Sequence, residues 1–359
     1  MERPLRILSY PAFDRAASNP YTALLCLELM ALGHHVSDFS GRRLRKEVWD
    51  IIHIHWPHFL IDRSSRLRLW RSGRKALRQL DRARARGAKI VWTAHNVVPH
   101  HVPYPQAETS FMEALAARLD GVIALSQAGL REARSQWPML KSVPGFVIPH
   151  GHYREAYPRP FDRTEARRRL GLETDAVIIC WIGVIRPYKN VPGLIAAFRA
   201  VEDPHLLLTV CGRAVGEDMA NAVTEAAGQD HRVRLKLKFL ADFEIAWHLL
   251  AADLVVLPYA DIQNSGSALL ALSFDRPVVV PELGAMPELR DAVGPEWVQT
   301  YRGDFSANIL RTGINWAIRP ARATAPLETF DWEIIAKSTA DAYNAVSSSG
   351  AELSRLRLD

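Results

Sequence analysis

Two loops that combine glycine, hydroxyl and basic side chains mark where this 359-residue chain could do chemistry. In Gly183-Val184-Ile185-Arg186-Pro187-Tyr188-Lys189, an arginine and a lysine three apart follow a glycine that lets the chain leave an apolar run sharply. A guanidinium fork and an ammonium point charge in one loop suit a diphosphate. Farther on, Asn264-Ser265-Gly266-Ser267 precedes the apolar run Ala268–Ser273. Hydroxyls and backbone N–H groups at a helix start also suit a phosphate, although the same serine would serve equally as an ordinary N-cap. Gly212, Arg213, Leu240 and Tyr259 lie beside the ends of neighbouring apolar runs and join these residues as candidates for one phosphate-bearing ligand.

Histidine supplies the second theme, with ten of the thirteen in residues 1–160. His53 and His55 alternate on one face of an expected strand. His95-Asn96 follows another, and His100-His101 and His150-Gly151-His152 extend the pattern. The spacings form no standard zinc set and no cysteine joins them, so no metal is expected. Imidazoles lining a polar wall, where they hydrogen-bond hydroxyls or phosphates, fit better. His34 and His35 read as structural. A base is harder to assign. Asp14, in the loop after the first strand, is the carboxylate candidate, and His95 the preferred contact; both carry the catalytic expectation.

Positioning these residues requires parallel α/β sheets. Short apolar runs alternate with stretches of helical spacing. Strands are expected at 6–9, 35–38, 51–55, 89–94, 121–125 and 145–149, then at 177–182, 205–211, 232–237, 254–257 and 277–280. Helices are expected at 21–32, 110–118, 191–199, 217–227 and 244–250. The polar, proline-containing stretch Arg154–Arg168 is the expected linker. Two doubly wound domains follow, 1–160 and 161–329, with ligands at the C-terminal strand ends in a cleft between them.

Composition excludes membrane-spanning and disordered classes: 48% of residues are hydrophobic, 23% charged, and no apolar run approaches ~20 residues. No secretory leader is evident at the N-terminus, and Cys26, Cys180 and Cys211 sit far apart in apolar stretches, so a reducing cytoplasm is expected. Residues 41–90 hold fifteen lysines and arginines against four acids, whereas the whole chain is only +6. From Arg63 to Lys89 the cations interleave with Leu67, Leu69, Trp70, Leu77 and Leu80. That pattern suits either contact with an anionic membrane, the inner face of the cytoplasmic membrane in this setting, or a solvated surface packed on the core through its leucines. No base-reading module accompanies the charge, so no nucleic acid partner is expected.

The ordered set from Gly183 to Pro281 resembles the donor domain of family-four glycosyltransferases, over roughly residues 175–300, with two departures: Leu269-Leu270-Ala271-Leu272 lacks the glutamate that family places after its glycine loop, and no arginine directly follows Gly183, the basic residue coming later at Arg186. Over nearly the full length, Asn19-Pro20-Tyr21, His53-Ile54-His55-Trp56-Pro57, His95-Asn96-Val97-Val98-Pro99-His100, His150-Gly151-His152-Tyr153, Asn264-Ser265-Gly266 and Val293-Gly294-Pro295-Glu296-Trp297 resemble the bacterial exopolysaccharide (xanthan-type) β-mannosyltransferases. The resemblance implies a GT-B fold, two Rossmann-like domains facing a central cleft, with a C-terminal helix from Phe330 crossing back to the first. It also implies GDP-mannose as donor, a lipid-linked or oligosaccharide acceptor, inversion, and no metal. Asn19, Tyr21, His55, Trp56, Asn96, His150 and His152 then fall on the acceptor side. The competing readings are a retaining transferase using another nucleotide sugar and a non-catalytic nucleotide-sugar-binding protein.

Overall fold

The computed structural model describes residues 3–14, 19–97, 102–159, 161–318 and 323–355, with the side chains of the last helix described through Ser348. His100 and His101 lie outside the described residues. The chain forms two compact units, one from Met1–Gly151 with Phe330–Asp359, the other from His152–Thr329.

The first unit is built on six parallel strands: β1 (Arg6–Tyr10), β2 (His35–Asp38), β3 (Ile51–Ile54), β4 (Lys89–Ala94), β5 (Gly121–Ala124) and β6 (Gly145–Val147), in the order β2-β1-β3-β4-β5-β6. Successive residues enter opposite cores, because side chains alternate across a strand. Leu8, Ile52, Ile90 and Trp92 pack on one face, with Leu69, Ala76, Leu80 and Ala83 of the helix Arg66–Arg84. Ile7, Ile51 and Val91 pack on the other, against Tyr21 and Leu25 of the helix Tyr21–Ala31 and Trp332, Ile335 and Tyr343 of the helix Trp332–Arg355. Burial on both faces is what an all-parallel sheet requires. The C-terminal helix is thus a layer of the first unit. A Cβ on Gly121 would lie 2.7 Å from Val346, so only glycine admits the helix this close.

The second unit carries β7 (Val177–Ile182), β8 (Leu206–Cys211), β9 (Val233–Lys236), β10 (Leu254–Val256), β11 (Val278–Pro281) and β12 (Val298–Tyr301), ordered β12-β11-β10-β7-β8-β9. Counted within the sheet this is the doubly wound Rossmann order. The sequence pattern missed β12, an edge strand whose residues Gln299, Thr300 and Tyr301 are only half-buried. It also missed the helices Gly41–Lys46, Gln127–Gln136, Met286–Val293 and Ala307–Ala317. The stretch expected as a linker belongs to the second unit, which begins at His152 rather than at 161. Its fastening is local: Ser273 Oγ accepts the Tyr153 N–H (2.8 Å), and the Arg154 guanidinium donates to Asp275 (3.0 Å) and the Ala325 carbonyl (2.6 Å). Arg167, fully buried, donates to the carbonyls of Ala251, Thr174 and Ala176 and to Asp253, locking the helix Arg163–Leu170 to β7. The three cysteines are buried thiols.

One buried polar link ties the C-terminal helix to the first sheet. The Tyr343 hydroxyl lies 2.7 Å from His53 Nδ1, and Thr93 Oγ1 lies 2.7 Å from His53 Nε2. Burial holds the His53 imidazole neutral, pushing its pKa down to about 3. An unfolded chain binds that proton near pH 6.5, so this histidine's share of stability is intact above 6.5 and is lost as pH falls toward 3. Stability should therefore decline on acidification from pH 6.5 to 4. His53→Gln should lower the slope by about 1.4 kcal/mol per pH unit in that window, read from urea unfolding at each pH. An unchanged slope would show that His53 is already charged in the native protein.

Candidate active site

In each sheet the strand order reverses once, and the chain leaves the two strands flanking that reversal in opposite directions, which opens a crevice at their C-terminal ends. In the second unit the reversal lies between β7 and β10. Gly183 follows β7 at φ +139° and Gly212 follows β8 at φ +139°; a Cβ on Gly212 would lie 1.8 Å from the Gly183 carbonyl oxygen. The two loops pair as a short ladder, the Arg213 carbonyl accepting the Ile185 N–H (2.9 Å) and the Ile185 carbonyl accepting the Val215 N–H (3.0 Å). The turn Pro187–Lys189 then passes through Asn190 in the left-handed region (φ 51°) into the helix Val191–Arg199.

This path returns the Lys189 ammonium to the glycine. A Cβ on Gly183 would be 3.2 Å from Lys189 Nζ and 3.3 Å from Ser267 Oγ. The ammonium also lies 5.6 Å from the Trp181 ring centre and 5.8 Å from that of Tyr259, within cation–π range. Tyr259, just past β10, is buried with its hydroxyl 3.3 Å from Ser265 Oγ, and burial pushes its pKa up to about 12. Ser265 caps the helix Gly266–Ser273 by accepting the Ala268 N–H (3.1 Å), so its oxygen is engaged while that of Ser267 faces the glycine loop. The Tyr188 carbonyl accepts the Ala260 N–H (2.8 Å) and ties the two loops together. No carboxylate pairs with Lys189 or Arg186 among the described residues. Desolvation, reinforced by the neighbouring Arg186, lowers the Lys189 pKa to about 8. A cation held at that expense beside a helix N-terminus is arranged for an anionic ligand. Arg213 is exposed on the paired loop, Asn264 is half-buried, and Leu240 is buried ahead of the helix Asp242–Ala251.

In the first unit the order reverses between β1 and β3. His55, one residue past β3, places Nδ1 3.1 Å from Nε2 of His95, one residue past β4. Trp56 stacks on His95 (4.7 Å, 24°). Tyr21 is the hub, with ring centres 4.5 Å from His95, 4.6 Å from His150, 5.8 Å from His55 and 5.3 Å from Trp332. Burial drives His55 and His95 well below the ordinary histidine range and His150 down to about 4, so all three imidazoles are neutral near pH 7. A neutral imidazole offers one donor and one acceptor, the equipment for a sugar hydroxyl or for accepting a proton.

Of the sequence candidates, Tyr21, His55, Trp56, His95 and His150 therefore converge. Asn19 accepts the Tyr21 N–H (3.1 Å) and so positions the hub, and Asn96 is exposed next to His95. Asp14 lies apart, exposed in the loop after β1. His152 is the first residue of the second unit, where its Nδ1 accepts the Arg154 N–H (3.3 Å). Tyr343, Trp332 and Thr93 were not among the candidates; they join through the C-terminal helix and a strand interior, where no local motif marks them. Among the described residues no group of three or more histidine, cysteine, aspartate or glutamate side chains is disposed to hold a metal.

Comparison with known proteins agrees with this architecture. Residues 162–291 match the family of glycosyl transferases group 1. The chain is 31% identical over 295 residues to a GDP-mannose:glycolipid 4-beta-D-mannosyltransferase of Xanthomonas campestris pv. campestris, covering 82% of this chain and 79% of that protein. It is 27% identical over 346 residues to a D-inositol 3-phosphate glycosyltransferase of Geodermatophilus obscurus, covering 88% and 72%. Among solved structures, a sucrose-phosphate synthase from Thermosynechococcus elongatus superposes with TM-score 0.65 at 18% identity over 99% of both chains. WaaG, a glycosyltransferase of lipopolysaccharide biosynthesis, does so with TM-score 0.62 at 15% identity over 97% of this chain and 99% of that one. With two parallel six-stranded sheets, each reversing at a crevice lined by candidate ligand-binding side chains, the chain belongs to the group 1 glycosyltransferases of GT-B fold and is a hexosyltransferase.

Proposed function

We propose that this enzyme transfers mannose from GDP-mannose, with inversion and without a metal, to a lipid-linked or oligosaccharide acceptor in exopolysaccharide or related glycan synthesis. The observation that carries the reading is Lys189, an ammonium without a carboxylate, converging with Ser267 on Gly183 at the switch point of the second sheet. A leaving nucleoside diphosphate carries the charge this arrangement lacks, and Arg186 adds a second cation to the same loop. The donor sugar and acceptor class follow from the name of the Xanthomonas relative. His95 contacts a sugar hydroxyl, and Asp14 is the base for the acceptor.

The basic helix Arg66–Arg84 supports contact with an anionic membrane. Leu69 and Leu80 are buried, and Leu77 packs half-buried on the same core, so those leucines face inward. Leu67 and Trp70 face outward, 55% and 53% exposed, with the Arg74 guanidinium 4.6 Å over the Trp70 ring. Arg66, Arg71, Arg74, Lys75, Arg78 and Arg82 have no acidic partner among the described residues and share the exposed side. No helix among the described residues is long and apolar enough to cross a membrane. The enzyme then works in the cytoplasm, against the inner face of the cytoplasmic membrane.

Three outcomes follow. Lys189→Ala and Arg186→Ala should each reduce kcat by about 10²–10³-fold, equivalent to about 2.7–4 kcal/mol, while EDTA leaves the wild type active; near-normal turnover in both variants, or loss on chelation restored by Mn²⁺, overturns the reading. GDP should raise the Tm more than UDP or ADP does. Its affinity should hold below pH 8 and fall as pH rises through 8, because the bound diphosphate favours the charged lysine and binding above that pH must take up a proton; the Lys189→Ala protein should lack this dependence. Finally, the protein should bind vesicles of anionic phospholipid and dissociate as salt rises, each cation contributing roughly 1 kcal/mol. Replacing Arg71, Arg74 and Arg78 by Glu should abolish that binding and slow transfer to a lipid-linked acceptor while sparing a short soluble one; equal losses on both acceptors point to a fold defect instead.

A further inference from the structure

Each neutral imidazole of the first unit carries one proton, and its neighbours decide which nitrogen holds it. His150 Nδ1 lies 2.7 Å from the Gly151 carbonyl oxygen, which can only accept, so that proton is on Nδ1. His53 has both nitrogens engaged, Nδ1 by the Tyr343 hydroxyl and Nε2 by Thr93 Oγ1. His55 and His95 decide the matter between themselves, because Nδ1 of the first and Nε2 of the second approach to 3.1 Å. Only one proton fits in that gap. Either His55 donates from Nδ1 and His95 is protonated on Nδ1, or His95 donates from Nε2 and His55 is protonated on Nε2.

The surroundings of His55 separate the two arrangements. The residue is 1% exposed, and its Nε2 is buried with no hydrogen-bonding partner among the described residues. The His53 ring, 4.0 Å away between centres, has no nitrogen to spare. The second arrangement therefore buries an N–H that finds no acceptor, whereas the first buries only a bare nitrogen, the commoner of the two defects in folded proteins. Turning His95 over gives no escape. Its ring is stacked on Trp56 (4.7 Å, 24°) and set edge-on to Tyr21 (4.5 Å, 88°), and a turn would withdraw Nε2 from His55.

We propose that His55 is a positioning residue, which donates to His95 Nε2 and thereby fixes the His95 proton on Nδ1. Held so, His95 meets a sugar oxygen as an N–H donor and has no lone pair left to take a proton from the acceptor hydroxyl. This deepens the transferase reading above and rests on it, leaving the work of the base to a different side chain.

With ¹⁵N-labelled histidine, long-range nitrogen–proton correlation spectra of the unliganded enzyme near neutral pH read each tautomer directly, since protonated and bare imidazole nitrogens resonate far apart. The His55→Asn and His95→Asn variants assign the two rings. Both should show a protonated Nδ1 and a bare Nε2; a His95 ring protonated on Nε2 overturns the proposal. His55→Leu removes the donor, while His55→Asn returns an amide N–H close to the position of Nδ1. Transfer should lose about tenfold in kcat/KM with the leucine and regain most of it with the asparagine. The His95 proton should stay on Nδ1 in the asparagine variant and lose that preference in the leucine variant. Equal losses in both, with the His95 tautomer unchanged, would reduce His55 to packing and also overturn the proposal. Should the leucine variant fail to fold, the wild-type and asparagine spectra decide the matter. A wild-type protein that shows this tautomer yet transfers no sugar from GDP-mannose would refute the transferase reading and leave the hold of His55 on His95 standing.

Discussion

The crevice of the second unit depends on one close approach, the carbonyl of Gly183 lying where any side chain on Gly212 would have to be. That contact lets the loops after β7 and β8 pair through Ile185 instead of splaying apart. The pairing fixes the turn through Pro187, and the turn brings Lys189 back over Gly183, the one residue type that leaves room for its ammonium. A methyl group at either glycine would therefore act on the charge several residues away as well as on the backbone, since both φ values are +139°.

Much of this was legible in the residues themselves. Short apolar runs separated by stretches of helical spacing located eleven of the twelve described strands, and glycine followed by spaced cations marked the loop that carries Arg186 and Lys189. The failures share a physical cause. The edge strand Val298–Tyr301 covers only one neighbour and keeps polar, half-buried side chains, so hydrophobicity alone does not mark it. Leu69 and Trp70 are adjacent and similarly apolar, yet one is buried and the other half exposed; helical phase decides, and phase is visible only once the helix limits are known. Tyr343 and His53 meet across 290 positions, a pairing that topology makes and local spacing cannot report.

The histidine cluster of the first unit shows how burial changes the role of histidine. Exposed, these imidazoles would titrate near neutrality. Packed around Tyr21 and beneath Trp56, they are held neutral and oriented, with ring geometry taking the place that a carboxylate partner often fills. The same unit confines its unpaired positive charge to helices on its outside, so attraction for anions at the surface does not disturb protonation within.

The helix Trp332–Arg355 belongs to the first unit yet follows the whole of the second in the chain. During synthesis the second unit, one uninterrupted stretch, can complete its core as soon as it leaves the ribosome. The first cannot, although it is made earlier: the face bearing Ile7, Ile51 and Val91 has no cover, and His53 no tyrosine, until the final helix arrives. The usual order of domain folding along a nascent chain is thereby reversed. The buried histidines of the first unit, whose neutrality depends on that burial, take their final form last, after the glycine loops of the second unit are already in place.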